Sequence, residues 1–164
     1  MKALVLFDSL YGNTQKVAET IGDALRNDFD VEVKHVKSVD ASQFSPPELL
    51  IAGAPTHKMR PSPPMQEFLR NLPKGCLDGI PVAAFDTRIN LEVIESRFFR
   101  FIVGKFGFAA ERIEKKLKNK GGEVVVPAAG FAVLDTEGPL LEGELKRAGE
   151  WAREIASKIP VLAA

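Results

Sequence analysis

The chain has 164 residues, of which 45% are hydrophobic and 27% are charged, as is typical of a globular protein. Its 22 basic and 22 acidic residues balance, which argues against a nucleic-acid-binding protein with a generally basic surface. No apolar run is long enough for a membrane-spanning helix, so we expect no integral membrane segment. A chain of this length is expected to fold as one domain over residues 1–164.

Cysteine and histidine are rare in this chain, which has one cysteine, Cys76, and two histidines, His35 and His57. A lone cysteine cannot form an intrachain disulfide, and we therefore expect a cytoplasmic protein. These residues do not form a cluster with the spacing of a zinc or iron–sulfur centre, so no metal site is predicted.

Strands and helices are predicted to alternate along the chain. The strand-like runs of mostly apolar residues are 3–7, 31–36, 49–54, 80–86 and 123–133. Between them, apolar residues recur at the three- and four-residue spacing of amphipathic helices. The predicted helices are 14–26, 62–72, 109–121 and 141–159.

This alternation predicts an α/β protein with right-handed crossovers between parallel strands. The run 31–36 alternates between apolar and polar residues, and the run 123–133 contains Pro127, so both suit the edges of a sheet. The fold class is therefore a doubly wound, five-stranded parallel sheet in the order 2-1-3-4-5, with helices on both faces.

Three loops follow the central strands of this sheet, where doubly wound proteins bind their ligands. They are "DSLYGNT" (8–14), "APTHKMRPSP" (54–63) and "DTRINLE" (86–92). The first loop precedes a helix, whose unpaired N–H groups attract an anion such as a phosphate. Gly12 would allow close backbone approach, and Ser9 and Thr14 would add hydroxyl donors. The alternative is a plain strand-to-helix turn with Thr14 as the N-cap.

Other phosphate-binding motifs are absent from the sequence. It contains no G-x-x-x-x-G-K-[ST] loop and no G-x-G-x-x-G loop, which excludes the common nucleotide-binding signatures. A phospho-acceptor receiver domain would carry an acidic cluster after the first strand and an aspartate after the third. Here the first strand is followed by Asp8 alone, and the third ends at Gly53.

The stretch "VLFDSLYGNTQKVAETI" (5–21) resembles the phosphate-loop signature of flavodoxins. The matching positions are Val5, Leu6, Phe7, Ser9, Gly12, Thr14, Ala18 and Ile21. "GAPT" (53–56) is similar to the second FMN loop of that family, and "AAFDTR" (83–88) with "EGPLLEGEL" (137–145) is similar to one branch of it. The resemblance covers most of the chain and agrees with the order of elements.

This resemblance implies that FMN is the cofactor and that the chain has no catalytic residues of its own. Residues that would hold the FMN phosphate are Ser9, Leu10, Tyr11, Gly12, Asn13 and Thr14. Residues that would line the ribityl chain and the two sides of the ring are Pro55, Thr56, His57, Lys58, Asp86, Thr87 and Arg88. The implied role is electron transfer with a redox partner protein or a small-molecule acceptor.

The sequence departs from many flavodoxins near the expected ring. Neither ring loop contains Trp or Tyr, so ring packing would fall to His57, Met59, Arg88 or Ile89. Lys58, Arg60 and Arg88 would place positive charge near the flavin and raise its potential. One alternative is therefore an FMN-dependent NAD(P)H:quinone-type oxidoreductase. A second is a flavodoxin-like interaction module that binds no flavin.

The segment "RFFRFIVGKFGF" (97–108) contains five phenylalanines and has several interpretations. It could add core packing to a longer helix, cover the flavin, form a homodimer contact, or bind a quinone or a membrane surface. A strictly monomeric protein at all concentrations would remove the homodimer.

Overall fold

A computed structural model describes residues 1–90, 97, 101 and 107–160. The strands are β1 (Lys2–Phe7), β2 (Asp30–His35), β3 (Leu49–Pro55), β4 (Pro81–Ile89), β5 (Glu123–Val124) and β6 (Ala129–Val133). The helices of the described residues are α1 (Asn13–Leu25), α2 (Pro63–Asn71), α3 (Ala109–Asn119) and α4 (Glu144–Lys158). Two single-turn 3-10 helices, Val36–Ser38 and Ala41–Gln43, lie between β2 and β3.

The strands form one parallel sheet in the order β2-β1-β3-β4-β5, and β6 also pairs with β4. The predicted doubly wound architecture and strand order are therefore confirmed. The order in which strands are added reverses between β1 and β3, because β2 lies on one side of β1 and β3 lies on the other. The loops after β1, β3 and β4 consequently meet at the carboxyl edge of the sheet.

The prediction of one continuous strand over 123–133 was wrong, because the chain forms two short strands there. β5 pairs with the beginning of β4, and β6 pairs with its end. Pro127 lies in the interruption and has no N–H group to donate to the sheet. The N–H of Ala128 instead donates to the Glu114 carboxylate of α3 at 2.8 Å, which satisfies this donor outside the sheet.

The last helix is shorter than the predicted range 141–159. It begins at Glu144, directly after Gly143, whose φ of 86° is left-handed, a conformation that glycine adopts without steric cost. Leu141 precedes the helix and donates its N–H to the carbonyl of Ala132. The side chain of Leu145 is 39% exposed, so the apolar stripe of this helix begins at Ala148.

Each face of the sheet has its own hydrophobic core. α1 and α4 cover one face, where Phe85, Phe131 and Trp151 make edge-to-face contacts with centroid separations of 6.1–6.3 Å. α2 and α3 cover the other face, around buried residues such as Met65 and Leu117. Among the described residues, no helix has the length and apolar character needed to cross a membrane.

Substituting Gly53 with alanine should destabilise the fold. A Cβ atom at this position in β3 would lie 2.2 Å from Cζ of the fully buried Phe85, so the ring would have to move within a packed core. We expect Gly53→Ala to lower the free energy of unfolding by about 1–3 kcal/mol, measured by urea denaturation followed by circular dichroism.

Gly149→Ala in α4 is the matched control. Its Cβ would find its nearest neighbours at 3.7 Å, on the Arg153 side chain, and alanine is the better helix former by about 0.5–1 kcal/mol. This variant should be neutral or stabilised. Equal effects of the two substitutions would contradict the packing argument.

Candidate functional site

The loop between β1 and α1 is shaped to bring backbone amides together. Gly12 precedes the helix with a φ of 90°, in the left-handed region that other residues rarely adopt. The Ser9 hydroxyl oxygen accepts hydrogen bonds from the N–H of Gly12 at 3.1 Å and of Gln15 at 3.4 Å. These bonds curl the chain around Ser9 and leave its hydroxyl hydrogen available to a ligand.

Four N–H groups of this loop are available to an acceptor. Within the described residues, no hydrogen-bond partner is found for the N–H groups of Leu10, Tyr11, Asn13 and Thr14. The first turn of α1 contains no acidic side chain that would repel an anion. The helix dipole adds partial positive charge at the same place. The loop is therefore suited to a phosphate group.

Two side chains tie this loop to neighbouring segments. The buried hydroxyl of Thr14 hydrogen-bonds the Thr87 hydroxyl on β4 at 2.8 Å. The Asn13 amide Nδ2 donates to the carbonyl of Glu137 at 3.0 Å. The loop is thus held by β4 and by the segment after β6, rather than by its own sequence alone.

A cleft opens beside this loop at the carboxyl edge of the sheet. Its lining includes nine of the predicted residues: Ser9, Leu10, Tyr11, Asn13, Thr14, Pro55, Thr56, Thr87 and Arg88. Ile89, considered for ring packing, also lines it. Gly12, His57, Lys58 and Asp86 do not form part of this lining, and their roles stay predictions.

Sequence reasoning missed two residues of the cleft, Val133 and Thr136. Val133 is the last residue of β6, which lies beside β4, and Thr136 lies in the segment after it. The rule that ligands bind at the carboxyl ends of strands could have found them. It was applied to the loops after the first, third and fourth strands only.

His57 and Lys58 lie in a tight turn at the rim of the cleft. His57 and Arg60 exchange backbone hydrogen bonds of 2.9 and 3.0 Å, and Lys58 and Met59 have φ values of 48° and 64°. These angles place two non-glycine residues in the left-handed region, which costs on the order of 1 kcal/mol each. The turn presents the His57 and Lys58 side chains to solvent.

Asp86 is fully buried in the second half of β4 and accepts four hydrogen bonds. The Arg88 guanidinium donates two of them, at 2.7 and 2.8 Å. The Thr56 hydroxyl donates at 3.1 Å and the N–H of Ala110 at 2.8 Å. Burial raises the pKa of the Asp86 carboxyl, and the hydrogen bonds and charge of Arg88 offset part of that rise. The carboxylate therefore supports its neighbours rather than facing the cleft.

Arg88 is held between apolar and charged neighbours. Its guanidinium carbon lies 4.0 Å from the centre of the Phe108 ring, a cation–π contact. Gly130 makes room for it, because a Cβ there would lie 2.0 Å from Arg88 Nε. Since Asp86 is its partner, the positive charge of Arg88 is largely compensated.

Of the three cations expected near the flavin, Lys58 and Arg60 have no ion-pair partner within the described part of the chain.

The segment 97–108 falls mostly outside the described residues. Phe101 is 67% exposed, whereas Phe108 is buried against Arg88. The other interpretations of this segment concern residues 98–100 and 102–106, which lie outside the described residues.

The described ranges contain no group of three or more His, Cys, Asp or Glu side chains that could hold a metal ion.

The whole chain was compared with known proteins. The family model for flavodoxin matches residues 5–154, and no curated protein sequence gave a significant match. Among solved structures, oxidised flavodoxin 1 from Bacillus cereus superposes with a TM-score of 0.77 and 20% identity, covering 97% of this chain and 99% of that one. The flavodoxin of Streptococcus pneumoniae TIGR4 gives 0.74 and 22%, covering 97% and 100%.

Rubredoxin oxygen:oxidoreductase from Desulfovibrio gigas is also similar in fold, with a TM-score of 0.74 and 19% identity. The match covers 99% of this chain and 37% of that larger one. The family match defines an FMN-binding electron-transfer protein with the flavodoxin fold. The chain belongs to the flavodoxin family, which confirms the resemblance found in its sequence.

Replacing Arg88 with glutamine should destabilise the protein in a pH-dependent way. The variant leaves the buried Asp86 carboxylate without its counter-charge, and we expect a loss of about 3 kcal/mol in unfolding free energy at neutral pH. A carboxyl whose pKa is raised by folding contributes stability at low pH that is lost as the pH rises. The deficit should therefore shrink as the pH falls towards about 4, the ordinary range of aspartate.

The double variant Asp86→Asn, Arg88→Gln is the control for this effect, because it removes the titrating group. Its unfolding free energy, measured by urea denaturation from pH 4 to pH 8, should lack the steep dependence of the single variant. A deficit of Arg88→Gln that stays constant over this range would show that the carboxylate charge is not its cause.

Proposed function

We propose that this flavodoxin is an electron carrier that holds FMN in the cleft beside the β1–α1 loop. The observation that carries the proposal is the group of four available N–H donors in that loop, together with the Ser9 hydroxyl. The FMN phosphate would accept hydrogen bonds from the N–H groups of Leu10, Tyr11, Asn13 and Thr14. Gly12 contributes the left-handed backbone conformation with which the loop enters α1.

The flavin ring would lie between the loops after β3 and β4. Pro55 and Thr56 would contact it on one side, with His57 and Lys58 at the rim, and Thr87 and Arg88 on the other. Asp86 would act through Arg88, because its own carboxylate is buried. When bound, FMN supplies the redox chemistry, and these residues hold it, exclude water and set the local charge.

The carrier would exchange electrons with a redox partner protein or a small-molecule acceptor. A location in the cytoplasm is proposed from the single cysteine. A homodimer through segment 97–108 remains a prediction, with the exposed Phe101 as its support, and sedimentation at increasing concentration tests it.

The cofactor content of the purified protein tests the proposal directly. A carrier should be yellow, contain one FMN per chain and show no steady-state turnover of NAD(P)H with a quinone. Sustained NAD(P)H oxidation would favour the reductase, whose support is the pair of exposed cations Lys58 and Arg60. A colourless protein that takes up no FMN would favour the interaction module.

Ser9→Ala should weaken FMN binding. The variant loses a hydroxyl donor and the two hydrogen bonds that shape the loop, and we expect the dissociation constant to rise about 10- to 100-fold. Flavin fluorescence during titration of the apoprotein measures it. Ser157→Ala is the matched control, because that hydroxyl bonds only the carbonyl of Glu154 on α4. An unchanged affinity of Ser9→Ala would place the phosphate elsewhere.

Lys58→Ala should lower the midpoint potential of the bound flavin. An exposed cation at the rim stabilises the added negative charge of reduced flavin, and its removal should shift the potential by roughly 10–40 mV in a screened environment. Spectroelectrochemical titration measures the shift. Lys74→Ala removes the same charge from the loop before β4, at the opposite edge of the sheet, and should leave the potential unchanged. Equal potentials of all three proteins would contradict a role of Lys58.

A further inference from the structure

A second cavity, separate from the cofactor cleft, lies between α2 and α3. It has a volume of about 170 Å³ and is lined by four cationic residues: Arg60, Arg70, Arg112 and Lys116. Pro61 and Leu69 form an apolar part of the wall. No residue lines both this cavity, here called the basic pocket, and the cofactor cleft.

Within the described residues, none of the four cations of the basic pocket forms an ion pair. The acidic residues of α3 are engaged elsewhere: Glu111 accepts from the N–H of Phe108 and from Arg88, and Glu114 accepts from the N–H of Ala128. Their carboxylates are therefore engaged with other groups, and neither forms an ion pair with a cation of the pocket.

The pocket also contains an unsatisfied donor. Arg112 Nε is buried and has no hydrogen-bond partner, and the other such atom in the described part of the chain is the hydroxyl of Ser62, the residue after Pro61. Buried polar groups are nearly always paired in native proteins, and an unpaired donor beside uncompensated cations points to a missing acceptor. An anion in the pocket would balance this charge and could accept from the terminal N–H groups of the Arg112 guanidinium.

We propose that the basic pocket binds the phosphate or pyrophosphate group of a small molecule. Guanidinium groups bind phosphate oxygens through paired hydrogen bonds, and two of the arginines come from facing helices. A single carboxylate would leave most of the charge uncompensated, whereas a phosphate ester carries about two negative charges. The small volume suits the oxyanion itself, and the apolar wall of Pro61 and Leu69 suits the group attached to it.

Calorimetric titration of the FMN-loaded protein with pyrophosphate at constant ionic strength tests this site, because bound FMN already occupies the phosphate-binding loop. We expect one pyrophosphate per chain, with binding weakened at least about tenfold in Arg112→Gln and in Arg70→Gln. Lys118→Gln removes one charge from the same helix outside the pocket and should change the affinity less than about twofold. Since Arg112 has no hydrogen-bond or ion-pair partner to lose among the described residues, its substitution should not lower the melting temperature.

A second titration, with ADP, distinguishes a nucleotide ligand from a free oxyanion. Binding of ADP with the same sensitivity to Arg112→Gln indicates a nucleotide ligand, and binding of pyrophosphate alone indicates a free oxyanion. The proposal is overturned if pyrophosphate does not bind, if Arg112→Gln and Lys118→Gln weaken it equally, or if glutarate binds as tightly. Because FMN content is measured separately, failure here leaves the cofactor proposal standing.

Discussion

The hydrogen bonds around the Asp86 carboxylate hold the cofactor cleft together. This buried group in the second half of β4 accepts hydrogen bonds from Arg88 of its own strand, Thr56 of the loop after β3 and Ala110 at the start of α3. Thr56 in turn accepts from the N–H of Ala109. The first N–H groups of α3 are thereby satisfied by side chains from two neighbouring strand ends. A buried charge is retained at such a place only when it is paired and fully hydrogen-bonded.

The protein has two candidate anion-binding sites that differ in chemistry. The loop between β1 and α1 offers neutral backbone dipoles, which suit a phosphate held close to the flavin without adding a full positive charge beside it. The basic pocket between α2 and α3 offers full charges on flexible side chains. Arg88 lies beside the cleft but is neutralised by Asp86, so its guanidinium contributes shape and hydrogen bonding more than charge. Lys58, at the rim, and the four cations of the basic pocket form no ion pair within the described residues.

Much of the fold could be predicted because its signals are local. Buried parallel strands appear as continuous apolar runs, and helices appear through their three- and four-residue spacing. The prediction failed where a local signal was overridden. Residues 123–133 have strand composition throughout, but Pro127 cannot donate to the sheet and Glu114 takes the next N–H. Leu141 and Leu145 continue a helical spacing, but Gly143 turns the chain between them.

By itself, the sequence determined the doubly wound architecture and the strand order, and it predicts a phosphate-binding loop after β1, since all three depend on residues close together in the chain. Only the tertiary structure decided how separated residues act on one another. It paired Thr14 with Thr87, neutralised Arg88 with Asp86, and added Val133 and Thr136 to the cleft. It also brought Arg60, Arg70 and Arg112 around one cavity, because side-chain partners across the sheet and between helices depend on packing that no local spacing encodes.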